Sequence, residues 1–192
     1  SIVHNINMTS LNGINNIVYV GPIFQIVNNP QLTIIGNLPL LHNVVGSIDI
    51  QNNSNLVNLT GFEGLKNIGG YLDIRNNNAL HDFNGLYALK NIGSDLIISG
   101  NPSLVNFQGL NSLDTIGANL TIEYNPVLSD LVGLDSLSYI GQNLLIKNNN
   151  SLENLVGLQS LSSVNDNLTV RSNPVLTSFT GLSSLSYVGE EF

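Results

Sequence analysis

Apolar residues recur along this chain at two alternating spacings. In the segment 72–75, Leu72 and Ile74 are separated by one polar residue, a period of two that predicts a half-buried β-strand. The apolar positions that follow are spaced by three residues: Leu80, Phe83, Leu86, Leu89 and Ile92. A spacing of three favours short turns of the 3₁₀ type over an α-helix, whose apolar positions follow a period of about 3.6 residues.

The same pattern returns every 24 residues, and the chain of 192 residues holds eight copies of it without insertion or deletion. One position of the pattern is asparagine in every copy: Asn5, Asn29, Asn53, Asn77, Asn101, Asn125, Asn149 and Asn173. Seven apolar positions cannot be buried within one copy, so the copies must stack on each other. The sequence therefore predicts one β-rich solenoid over residues 1–192, with eight coils, short 3₁₀ turns and little α-helix.

The asparagine and glycine positions of the pattern have structural explanations. We expect the asparagine side chains to point inward after the strand and to bond backbone groups of their own coil and of the next one. Asn37 stands where most copies have the glycine of the Gly85 position, and Asn165 replaces the glycine of the Gly93 position. Since asparagine tolerates positive φ better than most residues, both are expected to adopt a left-handed conformation.

The repeated pattern is Leu-x-Ile-x-x-Asn-x-x-Leu-x-x-Phe/Leu-x-Gly-Leu-x-x-Leu-x-x-Ile-Gly, seen from Leu96 to Gly117 and from Leu120 to Gly141. It resembles the leucine-rich repeats of the receptor L-domain type, especially the regular arrays of secreted and cell-surface proteins of bacteria and protists. The resemblance covers the whole chain. It implies a right-handed solenoid, a location outside the cell or on its surface, and a role in binding or adhesion. It provides no catalytic residues.

Composition narrows the classes of partner. Charged residues make up 9% of the chain, against about 25% in ordinary soluble domains. The net charge is −8 and no basic stripe is present, so we do not expect nucleic acid as a partner. No uninterrupted apolar run approaches 18 residues, so we expect no membrane span in this stretch. The absence of cysteine excludes disulfides and thiolate chemistry.

Two aspartates are the one candidate for metal or acid chemistry. Asp49 and Asp73 share an outward strand position in adjacent coils, where like charges are unfavourable unless something offsets them. Arg75 on the same face is one such group. A calcium ion with a further oxygen ligand from Gln51 is the alternative.

Enzymatic activity is not expected, and neither is a cofactor. Three histidines fall at different positions of the pattern and cannot form a common ligand set: His4, His42 and His81. Polysaccharide hydrolysis remains an alternative because Asp49 and Asp73 are close enough to act as a carboxylate pair. No aromatic cluster or long loop surrounds them to hold a sugar.

The outward strand positions vary from coil to coil, and they are therefore the expected binding surface. Apolar and aromatic residues rimmed by charges are typical of the centre of an interface. In the later coils we expect exposed Ile97 and Leu145 to lie beside Tyr124 and charged residues. The predicted site for a protein or glycan partner consists of Ile97, Thr121, Glu123, Tyr124, Leu145, Lys147 and Arg171.

Two other functions are compatible with the pattern. Ile2 and Phe192 occupy core positions at the two ends, where no polar cap is expected, so end-to-end or lateral self-association into a matrix or filament is one alternative. A flat row of serines is the second possible surface: Ser112, Ser136, Ser160 and Ser184. Such a face suits ice binding, although rows of threonine are missing from it.

Overall fold

A computed structural model describes residues 1–190, which form a solenoid of eight coils without any helix. The predicted β-rich solenoid is thus confirmed. With strands numbered in chain order, one parallel sheet consists of β1 (Ile2–Val3), β2 (Ile23–Val27), β4 (Ser47–Gln51), β6 (Leu72–Arg75), β8 (Leu96–Ser99), β10 (Leu120–Glu123), β12 (Leu144–Lys147) and β14 (Leu168–Arg171). Neighbouring strands pair with an offset of 24 residues, so that Leu120 lies between Leu96 and Leu144.

A second parallel sheet lies on another side of the coil, and the sequence did not predict it. Its strands are β3 (Asn43–Val44), β5 (Asn67–Ile68), β7 (Asn91–Ile92), β9 (Thr115–Ile116), β11 (Tyr139–Ile140), β13 (Ser163–Val164) and β15 (Tyr187–Val188). Two residues are too few to show an alternating pattern, and only stacking of the coils brings them into register. The predicted 3₁₀-type turns are present, as in the hydrogen bond from Leu89 N–H to Leu86 C=O at 3.0 Å.

The seven apolar positions of the pattern form one continuous core along the solenoid. In the fourth coil, for example, Ile74, Leu80 and Phe83 have no solvent exposure. The rings of Phe83 and Phe107 stack between adjacent coils, with centroids 5.3 Å apart and an interplanar angle of 30°. Each coil is therefore covered by the coils on either side of it, as the predicted stacking requires.

Seven of the eight asparagines of the repeat are buried and form an amide ladder along the solenoid. Asn101 illustrates the geometry. Its Oδ1 accepts from the backbone N–H of Asn77 at 3.0 Å, and its Nδ2 donates to Ile74 C=O at 3.1 Å and to Ser99 C=O at 3.3 Å. The backbone N–H of Asn101 donates in turn to Asn125 Oδ1 at 3.0 Å. The prediction that the amides bond a neighbouring coil is confirmed, but their backbone partners outside their own coil lie in the preceding coil and not in the next one.

The prediction of left-handed backbone at Asn37 and Asn165 is wrong, because neither residue has a positive φ. In the second coil the turn is shifted by one residue, and Gly36 takes the left-handed conformation with φ 98°. Gly93 does not have a left-handed φ. Glycine is required there because a Cβ atom would lie 2.2 Å from the carbonyl oxygen of Gly69.

Two other expectations concern the ends of the chain and the membrane. Ile2 is half-buried against the core, whereas Phe192 lies outside the described residues. Residues 1–190 contain no helix of the length and apolarity needed to cross a bilayer.

We expect the Asn101→Leu substitution to lower the free energy of unfolding by about 3 kcal/mol, because it removes the acceptor of one backbone N–H group and a donor to each of two backbone carbonyls. The N–H group is that of Asn77, and the carbonyls are those of Ile74 and Ser99. Urea unfolding followed by circular dichroism measures the change. The matched control is Asn78→Leu at an exposed position in the preceding coil, which should change stability by less than about 0.5 kcal/mol. Equal losses in the two variants would contradict a structural role for the ladder.

Candidate binding face

The first sheet positions the candidate residues through its alternation and its register. In β12, Leu144 and Ile146 point into the core, and Leu145 and Lys147 point outward. Residues 24 apart lie side by side on neighbouring strands, which produces two rows of outward side chains. One row contains Ile97, Thr121, Leu145 and Thr169, and the other contains Ser99, Glu123, Lys147 and Arg171. Together with Tyr124 after β10, all seven predicted residues lie on this side, and we call them the binding patch.

The expectation that Ile97 and Leu145 are exposed is wrong, because both are half-buried. Strands in a sheet lie about 4.8 Å apart, so an outward side chain is partly covered by its neighbours in the adjacent coils. Tyr124 is the most prominent apolar group of the patch, with 53% of its surface exposed. Arg171 is also exposed.

The centre of the binding patch is an ordered ion pair. Lys147 Nζ lies 2.9 Å from Glu123 Oε2, and the two side chains are only 20% and 17% exposed. Ser99 Oγ donates to Glu123 Oε1 at 3.3 Å. The same ammonium group lies 5.9 Å from the centroid of the Tyr124 ring, within the range of a cation–π contact. The carboxylate and the ring together therefore fix the position of Lys147.

Tyr124 occupies a left-handed backbone position. The residue that follows each strand of the first sheet has a positive φ in all eight coils: His4, Asn28, Asn52, Asn76, Gly100, Tyr124, Asn148 and Ser172. Five of these are asparagine or glycine, the residues that tolerate this conformation best. Tyr124 has φ 56°, and a bulky residue pays about 1 kcal/mol or more for it. Strain of this kind is found preferentially at functional sites.

Two open depressions lie along the binding patch. The first, of about 420 Å³, is lined mainly by Thr121, Leu145 and Thr169, with three asparagines at its side. The second, of about 400 Å³, is lined by Tyr124, Pro126, Asn148 and Asn150. The sequence did not point to the second depression, although Asn148 occupies the same repeat position as Asn28, Asn52 and Asn76.

Asp49 and Asp73 lie side by side on β4 and β6, at the other end of the same outward row as Leu145. Both carboxylates are buried, although they are on the outward face. Arg75 Nε lies 2.6 Å from Asp73 Oδ1, and Gln51 Nε2 donates to Asp73 Oδ2 at 3.4 Å. Within residues 1–190, no donor reaches Asp49 Oδ1. Arg75 thus offsets one of the two charges.

Burial raises the pKa of Asp73 above its ordinary value, and the neighbouring Asp49 raises it further, while Arg75 acts in the opposite direction. Burial and the two carboxylates also raise the pKa of Tyr71. A calcium ion here would have to compete with Arg75 for the Asp73 carboxylate. The described part of the chain contains no group of three or more His, Cys, Asp or Glu residues arranged to hold a metal ion.

A second amide ladder lies beside the binding patch, just before the strands of the first sheet. The backbone N–H and Nδ2 of Asn143 donate to Asn119 Oδ1 at 3.1 and 2.8 Å, and Asn167 bonds Asn143 in the same way. The ladder ends at Asp95, whose Oδ1 accepts from Asn119 Nδ2 at 2.7 Å. These amides satisfy each other, so this edge of the face is rigid and uncharged beyond Asp95.

Comparison of the chain with protein-family models, with curated proteins and with solved structures gives no match. The resemblance to receptor L-domain repeats therefore stays a prediction, and the function has to be argued from the face itself.

We expect Asp49→Asn to stabilise the fold at pH 7 by about 1 kcal/mol, because it removes like-charge repulsion between directly paired residues. The raised pKa of Asp73 means that its protonated form is favoured on folding. The stabilisation that comes from protonated Asp73 is fully present below a pH of about 3.9, the ordinary pKa of aspartate. It is lost as the pH rises through the pKa of Asp73 in the folded protein. The gain from Asp49→Asn should therefore shrink as the pH is lowered.

Urea unfolding between neutral and acidic pH measures this effect. Glu153→Gln is the matched control, because it changes the net charge equally at an exposed site. An Asp49→Asn protein that is less stable than the parent at pH 7 would show that the two carboxylates do not repel each other.

We expect Tyr124→Asn to raise the stability of the fold. Relief of the left-handed strain, about 1 kcal/mol, exceeds the loss of an exposed cation–π contact, about 0.5 kcal/mol. Thermal unfolding measures the difference. Tyr187→Asn is the control, since Tyr187 is 54% exposed but lies in a strand, where asparagine is unfavourable and stability should fall. A loss of stability in both variants would argue against strain at Tyr124.

Proposed function

We propose that this protein is a recognition or adhesion module that acts outside the cell or on its surface and binds a protein or glycan through the binding patch. The observation that carries the proposal is the arrangement of Glu123, Lys147 and Tyr124. Here a mostly buried ion pair holds a cation against an exposed and strained aromatic ring.

The division of the repeat between core and surface supports a binding role. The apolar, asparagine and glycine positions are explained by burial, by the amide ladder and by close contacts between coils. The outward positions carry no such constraint and differ between coils, so they are available for recognition. In the coils from β8 to β14 these positions combine partly apolar, aromatic and charged groups, a combination typical of the centre of an interface.

The geometry of the sheet also favours binding over catalysis. The two depressions of the patch are open, and their lining consists of aliphatic, amide, hydroxyl and aromatic side chains. Glu123 is already paired with Lys147 and bonded by Ser99. An acid engaged in this way is poorly placed to transfer a proton, whereas an ordered charge is well suited to recognise a complementary group.

Two substitutions test the patch without disturbing the fold. Leu145→Asp copies the aspartate that other coils carry in the same row, at Asp49 and Asp73. Arg171→Glu copies Glu123 in the other row. The immobilised chain is tested against arrays of extracellular matrix proteins and of glycans, and any ligand found is titrated by surface plasmon resonance. We expect saturable binding by the parent protein and a loss of at least about ten-fold in each variant, equivalent to about 1.4 kcal/mol.

Ser163→Asp, on β13 of the second sheet, introduces the same charge at a half-buried position away from the patch and should bind like the parent. Binding that is unchanged in both patch variants would overturn the assignment of the face. A chain that binds neither array would overturn the recognition role.

A further inference from the structure

The depression beside Tyr124 has a chemical character that identifies one class of ligand. Tyr124 and Asn150 are exposed, while Pro126 and Asn148 are half-buried. None of these four side chains carries a charge at neutral pH. A site of about 400 Å³ with one aromatic ring, one proline ring and two amides offers apolar surface and hydrogen bonds in close proximity.

The two amides are available to a ligand. Each provides one acceptor oxygen and two donor hydrogens, so it can both donate to a hydroxyl group and accept from it. In the ladders of this protein the asparagine amides are used up by bonds to other coils. Within residues 1–190, by contrast, the side chains of Asn148 and Asn150 make no hydrogen bond.

The Tyr124 ring is positioned by contacts that leave it accessible. Lys147 lies over it at 5.9 Å from the centroid, and more than half of the residue surface remains exposed. The faces of an aromatic ring carry partial negative charge, which attracts the polarised C–H groups of a sugar ring as well as cations. Tyr124 has a strained, left-handed backbone at a position where most coils have asparagine or glycine.

The surrounding charges favour a neutral ligand over an acidic or basic one. Lys147, the cation that lies over the Tyr124 ring, is paired with Glu123 at 2.9 Å. A carboxylate or sulfate on the ligand would have to compete with Glu123 for Lys147. An apolar protein side chain would leave the Asn148 and Asn150 amides without partners, which is unfavourable once water is displaced.

We propose that this depression binds a pyranose ring of a neutral glycan. The C–H face of the sugar stacks on Tyr124, and its hydroxyl groups exchange hydrogen bonds with Asn148 and Asn150. This inference rests on the proposed function, in which the same face binds a partner, and it names the class of that partner.

The probes are neutral oligosaccharides built from glucose, mannose, galactose or N-acetylglucosamine, printed beside sialylated and sulfated ones. Ligands found on the array are titrated into the intact chain by isothermal titration calorimetry. We expect at least one neutral series to bind and the acidic ones to bind no better. The Kd should stay constant between about 0.05 and 0.5 M NaCl, because a neutral ligand has no charge to screen.

Four variants locate the site. Tyr124→Asn should weaken binding by about ten-fold or more, and Tyr124→Phe should retain most of it because the ring remains. Asn150→Ala and Asn148→Gly should each weaken binding several-fold, and the glycine keeps the left-handed backbone at position 148. Tyr87→Asn removes a similarly exposed tyrosine, 48% against 53%, from a different part of the coil and should have no effect.

The outcomes separate this inference from the broader proposal. If an array protein or an acidic glycan binds and Leu145→Asp or Arg171→Glu abolishes it while no neutral glycan binds, the recognition role stands and the inference is overturned. If a neutral glycan binds equally well to the parent and to Tyr124→Asn, the site is wrong. If its binding depends on Tyr124 but on neither Leu145 nor Arg171, the inference stands and the wider patch is wrong.

Discussion

The side-chain amide of each buried asparagine joins its coil to the preceding one, and the remaining structure depends on that connection. Asn101 accepts from the backbone of the coil before it and donates to that coil, to its own coil and, at 3.4 Å, to the next asparagine. A buried amide with all of its partners in place is favourable, whereas the loss of one partner leaves several polar groups without compensation. The ladder therefore fixes the offset between coils at one value, 24 residues.

A fixed offset has a direct consequence for the surface. Because every strand of the first sheet pairs with its neighbours in the same register, outward residues form straight rows rather than scattered positions. The identity of one residue then determines the surroundings of two others. Asp49 is unfavourable next to Asp73, while Lys147 between Glu123 and Arg171 is favourable on one side only. Chemistry on this face arises from neighbours in the row, and a small number of substitutions is enough to create a site.

The sequence predicted the features that depend on period and on local chemistry. The strand at 72–75, the buried apolar positions and the inward asparagines all follow from spacing alone, and each is confirmed. Features that depend on contact between coils were not predictable from one copy. The second sheet, the half-burial of Leu145 and the role of Gly36 in place of Asn37 result from the distance between backbones in adjacent coils. The 24-residue spacing was enough to predict that the seven residues of the patch lie on one side of the solenoid. The depression at Asn148 and Asn150 could not be predicted in this way, because its position depends on the path of the turn after the strand.

Amide side chains take the place of ions on much of this surface, and they form two groups that differ in their hydrogen-bond partners. Many exposed amides bond each other, as in the row of Asn43, Asn67 and Asn91 on the second sheet, where the distances between side chains are 2.7 and 2.8 Å. Such rows stiffen the surface without ions, and their amides are already engaged with one another. Amides that face an aromatic ring and have no protein partner are a different case. They keep their capacity for hydrogen bonding for a ligand, and the uncharged lining of the depression beside Tyr124 suits this capacity to neutral polar molecules. The residue type that stabilises the solenoid therefore also provides, at Asn148 and Asn150, the polar half of the proposed sugar site.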